Sequence, residues 1–533
     1  MTRTRKTLIA LFAVATPMIV GGFVIQERAT RDGVRLFEQV MSVVGDRFVD
    51  SVSASALYEK AARGLLKELK DPYTELYTPK QLEAFNTTTG GFYGGVGMLI
   101  EEQEGSIVIS KVYPHTPAEE AGILAGDRII QVDTSSTRGW KIDQVSSHLK
   151  GEPGTKVTAK FARPGWNEPI AATFTRRIIR IPAVPFSIML DGKIGYVPVQ
   201  NFNETSSPEL AQQIIKLQNE GAKGLVLDLR SNPGGFLDQA LEMSNLFLTR
   251  GQEILSVRDR QGVAETHKAE RDPVAPRLPL VILTDAYTAS ASEIVAGALQ
   301  DHDRALIVGT TSFGKGLVQS VYRLDGGYAI KLTTGKWFTP SGRSIQKERK
   351  LLDDGQFVEV HPDSIETDSA RKARPRYKSD GGRVVFGGGA ITPDVIVRPD
   401  TLTSAEQKLA KALGAKGQLT YITLYEFAAE QKGKVKPDFV VTKDMTDDVY
   451  ARLQKKGVVV DRKDWDAASD YAKRLIDVRV SLQAFGDSTA KRREISEDNQ
   501  LLKALDLLRK GQSQRDLFAL ATRSAIPPSS NKH

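Results

Sequence analysis

At 533 residues the chain is long enough for two to four domains, and its 40% hydrophobic and 26% charged residues are typical of globular proteins. The net charge is +8, but the 73 basic residues are dispersed among 65 acidic ones without a long basic run, which argues against nucleic-acid binding. The sequence contains no cysteine, which excludes disulfides, thiolate catalysis and zinc–cysteine sites. Six scattered histidines without a His-Glu-x-x-His motif predict no metal site, and no cofactor is expected.

The first 26 residues have a membrane-targeting pattern. Arg3, Arg5 and Lys6 precede an uncharged run over residues 7–26. A helix over residues 8–25 would be about 27 Å long, which approaches the thickness of the hydrocarbon core of a bilayer. We interpret residues 1–26 as an uncleaved single-pass anchor. The alternative is a cleaved signal peptide, although no good small-x-small cleavage site ends the run. Both place the rest of the chain on the periplasmic side of the inner membrane.

Residues 27–89 have the spacing of amphipathic helices. Apolar residues recur at i, i+3 and i+4 over residues 33–48 and 53–70, and a short helix is expected over 79–86. These helices either pack on their own chain or contact another copy or an adaptor, so a homo-oligomer is left open.

From residue 90 the sequence changes to glycines and β-branched residues. Gly94, Gly95, Val96 and Gly97 form a glycine-rich turn, and the segments IVISKVY (107–113), PAEEAG (117–122) and GDRII (126–130) follow it. Such a turn exposes backbone N–H groups that can bind a terminal carboxylate, and an adjacent sheet edge can accept a peptide as an added strand. The turn alone would be a weak signal, but residues 90–176 together resemble a PDZ domain.

Between residues 177 and 400, short apolar runs alternate with helical segments, which predicts an α/β core. Strands are expected at 193–199, 223–229, 280–284, 305–309 and 317–324, and helices at 207–220 and 290–300. The sequence Asp-Gly-Gly at 325–327 predicts a hairpin turn, and the charged stretch 350–385 predicts an irregular surface insertion.

Residues 401–533 predict a separate, mostly helical extension. Apolar periodicity marks helices at 404–413, 419–431, 464–484 and 498–509, and the four charged residues 491–494 indicate a polar link. The whole chain is therefore predicted to be an α/β (α+β) multidomain protein with a helical C-terminal extension.

Ser290 and Lys315 are the residues most suggestive of catalysis. Ser290 lies in TASASE (288–293), and Lys315 lies in FGKGLVQ (313–319). A serine hydroxyl is a poor nucleophile at neutral pH and needs a base. A lysine is such a base when burial keeps its amine uncharged, and the serine–lysine pair is a known variant of the catalytic triad. Gln319, four residues after the lysine, is suited to orient the amine.

The segments around the serine suit the stabilisation of negative charge. Ser290 is expected where strand 280–284 turns into a helix, and a helix N-terminus favours an anion. Gly234-Gly235 follows a predicted buried strand, and a glycine turn there can aim backbone N–H groups at an oxyanion. Asp228 and Arg230 are expected to brace this loop rather than to react.

Three alternatives involve the same segments. Ser290 could be only the N-cap residue of a helix, with Ser292 as a competing nucleophile. His302, in Asp-His-Asp at 301–303, could pair with the serine, although a solvated helix end explains this trio better. Residues 309–316 match a phosphate-binding loop up to the last position, but Gly316 lacks the hydroxyl that binds Mg²⁺ and a strand is expected to follow.

Four segments resemble one protein family. TASASEIVAGALQDHDRALIVGTTSFGKGLVQS (288–320) resembles the catalytic core of the carboxyl-terminal processing peptidases, which are tail-specific Ser-Lys proteases. GLVLDLRSNPGG (224–235), TPSGRSIQ (339–346) and GGGAITPDV (387–395) resemble further segments of that family in the same order. The resemblance covers roughly residues 35–400.

The resemblance implies a serine endopeptidase with its protease core at residues 177–400. It assigns Ser290 as the nucleophile, Lys315 as its base, and the backbone N–H groups of Gly235 and Ala291 as the oxyanion hole. Substrates are expected to be proteins or peptides with free, apolar C-termini, bound by the PDZ domain. The alternative is a catalytically inactive PDZ scaffold or adaptor at the membrane.

Overall fold

The structure of the protein is a computed structural model that describes residues 31–103, 105–163, 166–262, 264–347, 349–351, 357–359 and 373–524. The chain divides into two compact units, one within Met1–Lys80 and Gln319–Thr333, the other within Gln81–Val318 and Thr334–His533. Among the helices of the described residues, none is both long and apolar enough to cross a membrane. The predicted anchor at residues 1–26 lies outside the described residues.

The first unit combines a helical segment with a small sheet. Its helices span residues 31–47 and Ala54–Glu68, close to the predicted bounds. Strand Glu75–Tyr77 pairs antiparallel with residues 329–331. Arg63 on the second helix donates from Nη1 to the carbonyl of Leu76 at 3.1 Å, which ties this helix to the strand. A further helix, Pro79–Gly90, is longer than the predicted 79–86 and leads on along the chain.

Residues 92–180, in the second unit, form a β domain. Its strands are Phe92–Gly95, Met98–Gln103, Ser106–Val112, Arg128–Val132, Ser135–Ser136, Lys156–Ala162, Ile170–Thr175 and Arg177–Arg180, and its helices are Pro117–Glu120 and Ile142–Leu149. Side chains of Lys156–Ala162 alternate between buried and exposed, as in a strand with one face on the core. Met98–Gln103 lies at one edge of the main sheet, directly after the glycine-rich turn.

A mainly parallel six-stranded sheet forms the centre of the second unit. Its strands, in spatial order, are Ile188–Leu190, Ile194–Pro198, Gly224–Asp228, Leu280–Thr284, Leu306–Gly309 and Val395–Ile396. The first pair is antiparallel and the other described pairs are parallel. Strands Gly224–Asp228 and Leu280–Thr284 are buried along their whole length, as expected when both faces of a parallel sheet are covered.

The two faces of this sheet are covered by different parts of the chain. Leu227 and Ile282 pack in one hydrophobic core with residues of the three helices that alternate with the strands. These helices are Ser206–Asn219, Leu237–Asn245 and Ala291–Asp301. Val226 and Val281, on the opposite face, share a second core with residues of the two last described helices of the chain. The sheet is therefore the middle of three layers.

The second unit contains further strands outside this sheet. Glu253–Arg258 pairs antiparallel with Ala264–Lys268 and with residues 336–338. The predicted insertion at 350–385 is less irregular than expected where it is described. It contributes the antiparallel pairs Arg349–Leu351 with Phe357–Glu359 and Arg376–Lys378 with Val384–Phe386.

The C-terminal region is helical, as predicted, but it is not separate, because its last two described helices pack on the central sheet. Its helices are Ser404–Gly414, Gly417–Gln431, Lys443–Lys455, Arg462–Ala467, Ser469–Phe485, Asp487–Glu494, Asn499–Lys510 and Gln514–Ser524. The interpretation of residues 491–494 as a polar link was wrong, because they end a helix, and Lys491 and Arg493 are paired with acids outside that helix. Lys491 contacts Asp498 at 3.0 Å, and Arg493 contacts Asp477 at 2.5 Å. The helices at 443–455 and 514–524 were not predicted.

We expect the packing of helix Asn499–Lys510 on the sheet to contribute strongly to stability. Leu505 is 1% exposed in the second core, so Leu505→Ala should lower the free energy of unfolding by about 2–5 kcal/mol. Leu502 on the same helix is 39% exposed, and Leu502→Ala should change it by less than about 1 kcal/mol. Urea unfolding followed by circular dichroism measures both. Equal losses in the two variants would contradict this packing.

Candidate active site

Ser290 lies in a strained turn between a buried strand and a helix. It follows strand Leu280–Thr284 and is the N-cap residue of helix Ala291–Asp301. Its backbone has φ 55° and ψ −114°. Residues other than glycine rarely adopt such a conformation, which costs on the order of 1–3 kcal/mol. Strain of this kind persists only where the surrounding contacts fix the backbone.

Glu293, one turn into the same helix, supplies such contacts. Its side chain is buried, and Oε2 accepts the backbone N–H of Ser290 at 2.8 Å and that of Lys315 at 2.9 Å. Oε1 accepts the backbone N–H of Gly314 at 2.6 Å and the hydroxyl of Ser312. Because both N–H groups donate to the same oxygen, the backbone nitrogens of Ser290 and Lys315 lie no further apart than the sum of the two hydrogen-bond lengths. Glu293 therefore holds the serine turn and the lysine loop together.

Glu293 is a buried acid with a full set of donors. Burial raises its pKa above the usual range, while the hydrogen bonds from Ser312 and the three backbone N–H groups act in the opposite direction. Because backbone N–H groups only donate, the carboxylate form accepts all of them. Glu293 was not among the residues predicted from the sequence. The spacing Ser-x-x-Glu, typical of a capping box at a helix start, is the signal that points to it.

The loop around Lys315 is fixed by its backbone. The carbonyl of Lys315 accepts the indole N–H of Trp337, a buried side chain, at 3.1 Å. The N–H of Gly316 donates to Oε1 of Gln346 at 2.8 Å, and Gln346 belongs to the TPSGRSIQ segment. The Lys315 residue is half-buried. Strand Leu317–Arg323 follows, so the helix required after a phosphate-binding loop is not at this position.

The Gly234-Gly235 turn packs directly against the serine. Gly234 has φ +91°, and a Cβ atom there would lie 3.0 Å from Cβ of Ser290 and 2.8 Å from the backbone nitrogen of Ala291. A Cβ atom on Gly235 would lie 2.2 Å from the carbonyl oxygen of Phe202. Only glycine fits at these two positions. The turn therefore brings the backbone of Gly235 close to the start of the serine helix.

Asn232 fixes the shape of that turn from inside. Its side chain is fully buried, its Nδ2 donates to the carbonyl of Val199 at 2.7 Å, and its Oδ1 accepts the N–H of Gly234 at 2.9 Å. Its own carbonyl accepts the N–H of Ala289 at 2.9 Å and the hydroxyl of Ser292 at 3.2 Å. Ser292, the alternative nucleophile considered from the sequence, is fully buried, and its hydroxyl donates to the loop that contains Asn232.

The structure also places the remaining sequence candidates. Arg230 binds Asp228 through both of its carboxylate oxygens, with Nη2 at 2.6 Å from Oδ2, as expected for bracing residues. His302 lies at the far end of the helix that Ser290 begins, and its ring nitrogens contact Asp380 at 2.7 Å and the carbonyl of Glu253 at 2.6 Å. His302 is therefore not a partner of Ser290.

Gln319 belongs to the first unit. It lies on strand Leu317–Arg323, and its Nε2 donates to the carbonyl of Tyr73 at 2.8 Å. Its predicted role in orienting the lysine amine stays a prediction.

The glycine-rich turn of the β domain is held by its carbonyl groups. The carbonyl of Gly94 accepts the N–H of Gly151, that of Val96 accepts the N–H of Ala118, and that of Gly97 accepts the N–H of Tyr113, at 2.9–3.1 Å. Strands Phe92–Gly95 and Arg177–Arg180 pair at Gly94 and Gly95. Helix Ile142–Leu149 lies beside the edge strand, with Val145 and Leu149 buried in the domain core.

Comparison with known proteins identifies the family. The model of peptidase family S41 matches residues 193–363, and a PDZ domain model matches residues 108–163. The chain is 32% identical over 429 residues to the carboxy-terminal processing protease CtpA of Bacillus subtilis (strain 168), which covers 79% of this chain and 86% of that protein. The chain belongs to the carboxy-terminal processing proteases.

Two further proteins illustrate the similarity. The carboxy-terminal-processing protease of Bartonella bacilliformis is 36% identical over 325 residues, which cover 60% of this chain and 74% of that protein. The solved structure of a photosystem II D1 C-terminal processing protease is 27% identical, with a TM-score of 0.37 over 71% of this chain and 90% of that one.

This carboxy-terminal processing protease is a serine-type peptidase with a PDZ domain, as the sequence predicted. Ser290, Lys315 and Gly235 lie within the residues that match the peptidase model, whereas the turn at residues 94–97 precedes those that match the PDZ model. The predicted domain boundaries stay predictions.

The close approach of Gly234 to Ser290 makes a specific prediction. Gly234→Ala should lower peptidase activity at least about 100-fold, because its Cβ atom displaces the serine turn. Gly251 is the matched control, since its φ of +90° gives the same backbone strain but a Cβ atom there meets nothing within 4 Å. The measurement is the initial rate of cleavage of an unfolded protein substrate by each variant. Each rate is divided by the concentration of folded enzyme, determined by circular dichroism. Similar activity in both variants would refute the close contact.

Proposed function

We propose that this protein is an active serine endopeptidase whose nucleophile is Ser290 and whose base is Lys315. The observation that carries the proposal is the shared Oε2 atom of Glu293, which accepts the backbone N–H groups of both residues. The packing of Gly234 against Ser290 supports it further, because it places the glycine turn directly beside the serine. Ser292 is the weaker candidate, since it is fully buried.

The reaction divides into two steps. In the first, the neutral amine of Lys315 takes the hydroxyl proton of Ser290 while Oγ bonds to the substrate carbonyl carbon. The C=O π electrons move to oxygen, and the N–H groups of Gly235 and Ala291 donate to this oxyanion. The C–N bond then breaks, and the lysine ammonium gives its proton to the leaving amine. In the second step, water repeats the sequence and releases the acyl group from Ser290.

The PDZ domain is proposed to select substrates by their C-termini. The turn of Gly94, Gly95, Val96 and Gly97 leads into the edge strand Met98–Gln103, which has the place in the sheet that an added peptide strand requires. The carbonyls of this turn are already bonded within the domain, which suits a turn that presents its N–H groups to a carboxylate. Helix Ile142–Leu149 would form the other wall of the groove.

Location and assembly are proposed from the sequence alone. Residues 1–26 would anchor the protein in the inner membrane, with the peptidase on the periplasmic side. Self-association or adaptor contacts would use the N- and C-terminal helices. The inactive scaffold remains the second candidate, although no structural observation favours it over the peptidase.

Loss of either member of the pair should abolish proteolysis without unfolding the protein. Ser290→Ala and Lys315→Ala should each lower kcat by a factor of about 10⁴–10⁶. Lys315→Arg keeps the positive charge but cannot supply a neutral amine, so it should be equally inactive. A fluorophosphonate probe should label the natural protein at Ser290. Absence of labelling would favour the inactive scaffold, and labelling at Ser292 would move the nucleophile.

Cleavage should depend on a free substrate C-terminus. Amidation of the C-terminus of a good peptide substrate should raise KM markedly, because the turn at residues 94–97 loses its carboxylate. Gly97→Ala should remove this difference between acid and amide, since its Cβ atom would lie 2.3 Å from the side chain of Thr116. Gly105→Ala, where nothing lies within 4 Å, is the matched control and should keep it. Equal cleavage of acid and amide by the natural protein would contradict this role.

A further inference from the structure

Arg230 connects the loop beside Ser290 with the C-terminal region. Its Nη1 donates to Oδ1 of Asp498 at 2.8 Å and its Nη2 donates to Oδ2 of the same residue at 2.7 Å, a bidentate pair that spans 268 positions of sequence. Gln500 accepts a third bond from Nη1 at 3.0 Å. The opposite edge of the guanidinium binds Asp228. The guanidinium therefore lies between one carboxylate of the core and one of the C-terminal region.

This contact is shielded from solvent. The side chains of Arg230, Asp228 and Asp498 are 16%, 8% and 13% exposed. Burial tends to raise the pKa of Asp498, but the hydrogen bonds and charges of Arg230 and Lys491 outweigh it and hold this pKa well below the usual range. Asp498 is thus ionised at neutral pH. Hydrogen bonds between such charged groups are roughly twice as strong as neutral ones and are directional.

The loop that Arg230 begins is the one that carries Gly235. Arg230 follows the end of strand Gly224–Asp228, and only four residues separate it from Gly235. Asn232 ties the middle of this loop to the serine turn, as described above. Because only a few backbone torsions lie between Arg230 and Gly235, a displacement of Arg230 should also move the N–H group of Gly235.

We infer that Asp498 is a positioning residue for the oxyanion hole, acting through Arg230, so that the C-terminal region forms part of the catalytic apparatus. This inference rests on the proposed function, because it assigns a purpose to the Gly235 N–H group. Asp498 does not touch the substrate. Its carboxylate fixes the guanidinium, the guanidinium fixes the start of the loop, and the loop sets the direction of the donor.

Three variants separate positioning from general stabilisation. Asp498→Ala removes the carboxylate. Asp498→Asn keeps the size of the side chain. Oδ1 accepts from Leu501 and Arg230, and Oδ2 accepts from Arg230 and Lys491. In either orientation of the amide, its NH₂ group would therefore face donors instead of accepting from them. Asp477→Ala is the matched control.

Asp477 resembles Asp498 in environment but not in its partner. Its side chain is 23% exposed, pairs with Arg493, and lines the same cavity of about 930 Å³ as Asp498. A general loss of packing in the C-terminal region would therefore affect the Asp477 and Asp498 variants alike.

The experiment measures kcat and KM on one peptide substrate, and the affinity for a peptide aldehyde and for the corresponding alcohol. Serine Oγ adds to the aldehyde carbon, the C=O π bond opens, and the serine proton passes to Lys315, so the aldehyde oxygen occupies the oxyanion hole. We expect both Asp498 variants to lose about 10²-fold in kcat and in aldehyde affinity. KM and alcohol affinity should change less than threefold, and Asp477→Ala should resemble the natural protein.

Each other outcome contradicts a specific statement. Natural kcat in Asp498→Asn, or an equal loss in Asp477→Ala, would overturn the positioning role. A parallel loss of aldehyde and alcohol affinity would show a structural effect only. Fluorophosphonate labelling of Ser290 in the natural protein is the separate test of the proposed function, so its failure is distinguishable. If Asp498→Ala does not fold, Asp498→Asn decides, because it retains an oxygen for the N–H of Leu501.

Discussion

One buried carboxylate sets the geometry on which the rest of the site depends. Glu293 accepts four hydrogen bonds, one from the turn of Ser290 and three from residues 312–315, and it lies on the first turn of the serine helix. A buried charge costs free energy unless its hydrogen-bond acceptors are satisfied. The four donors therefore stabilise the carboxylate, and the carboxylate in turn holds the two loops in place. The arrangement holds the unusual backbone of Ser290 and defines where Lys315 starts.

The parallel sheet explains why segments so distant in sequence meet there. The glycine loop follows strand Gly224–Asp228, the serine follows strand Leu280–Thr284, and the lysine loop follows strand Leu306–Gly309. These strands are parallel neighbours, so their carboxyl ends lie along one edge, where ligands bind in open α/β sheets. Side chains then refine what the topology supplies: Asn232 joins the glycine loop to the serine turn, and Glu293 joins the serine turn to the lysine loop.

Local patterns were sufficient for four strands of the central sheet and for most of the helices, because apolar runs and glycine turns can be recognised over a few residues. Strands such as Lys156–Ala162 and Glu253–Arg258 were not predicted. The Ser290–Lys315 pair stays a prediction. The capping-box spacing of Ser290 and Glu293 is also visible in the sequence. The hydrogen bonds that Glu293 accepts from residues 312–315 are not. The helix Lys443–Lys455 was missed because it buries only Thr446, Val449 and Leu453, which is a narrow apolar stripe. Residues 491–494 looked like a link because their charges are numerous, and pairing with distant acids is invisible in the sequence. The contact of Arg230 with Asp498 has no local signal at all.

The layering of the sheet explains why the chain end belongs to the protease. Alternate residues of each central strand face opposite sides, so a sheet buried on both faces needs two apolar coverings. The helices between the strands provide one, but the peptidase family match ends at residue 363, before the helices of the second layer begin. Leu501, Leu505 and Leu508 of helix Asn499–Lys510 complete that layer against Val226, Val281 and Val308. The same helix begins next to Asp498. Helix Asn499–Lys510 therefore covers the sheet, and its N-cap residue Asp498 binds Arg230. The start of this one helix thus affects both the packing of the core and the position of the glycine loop.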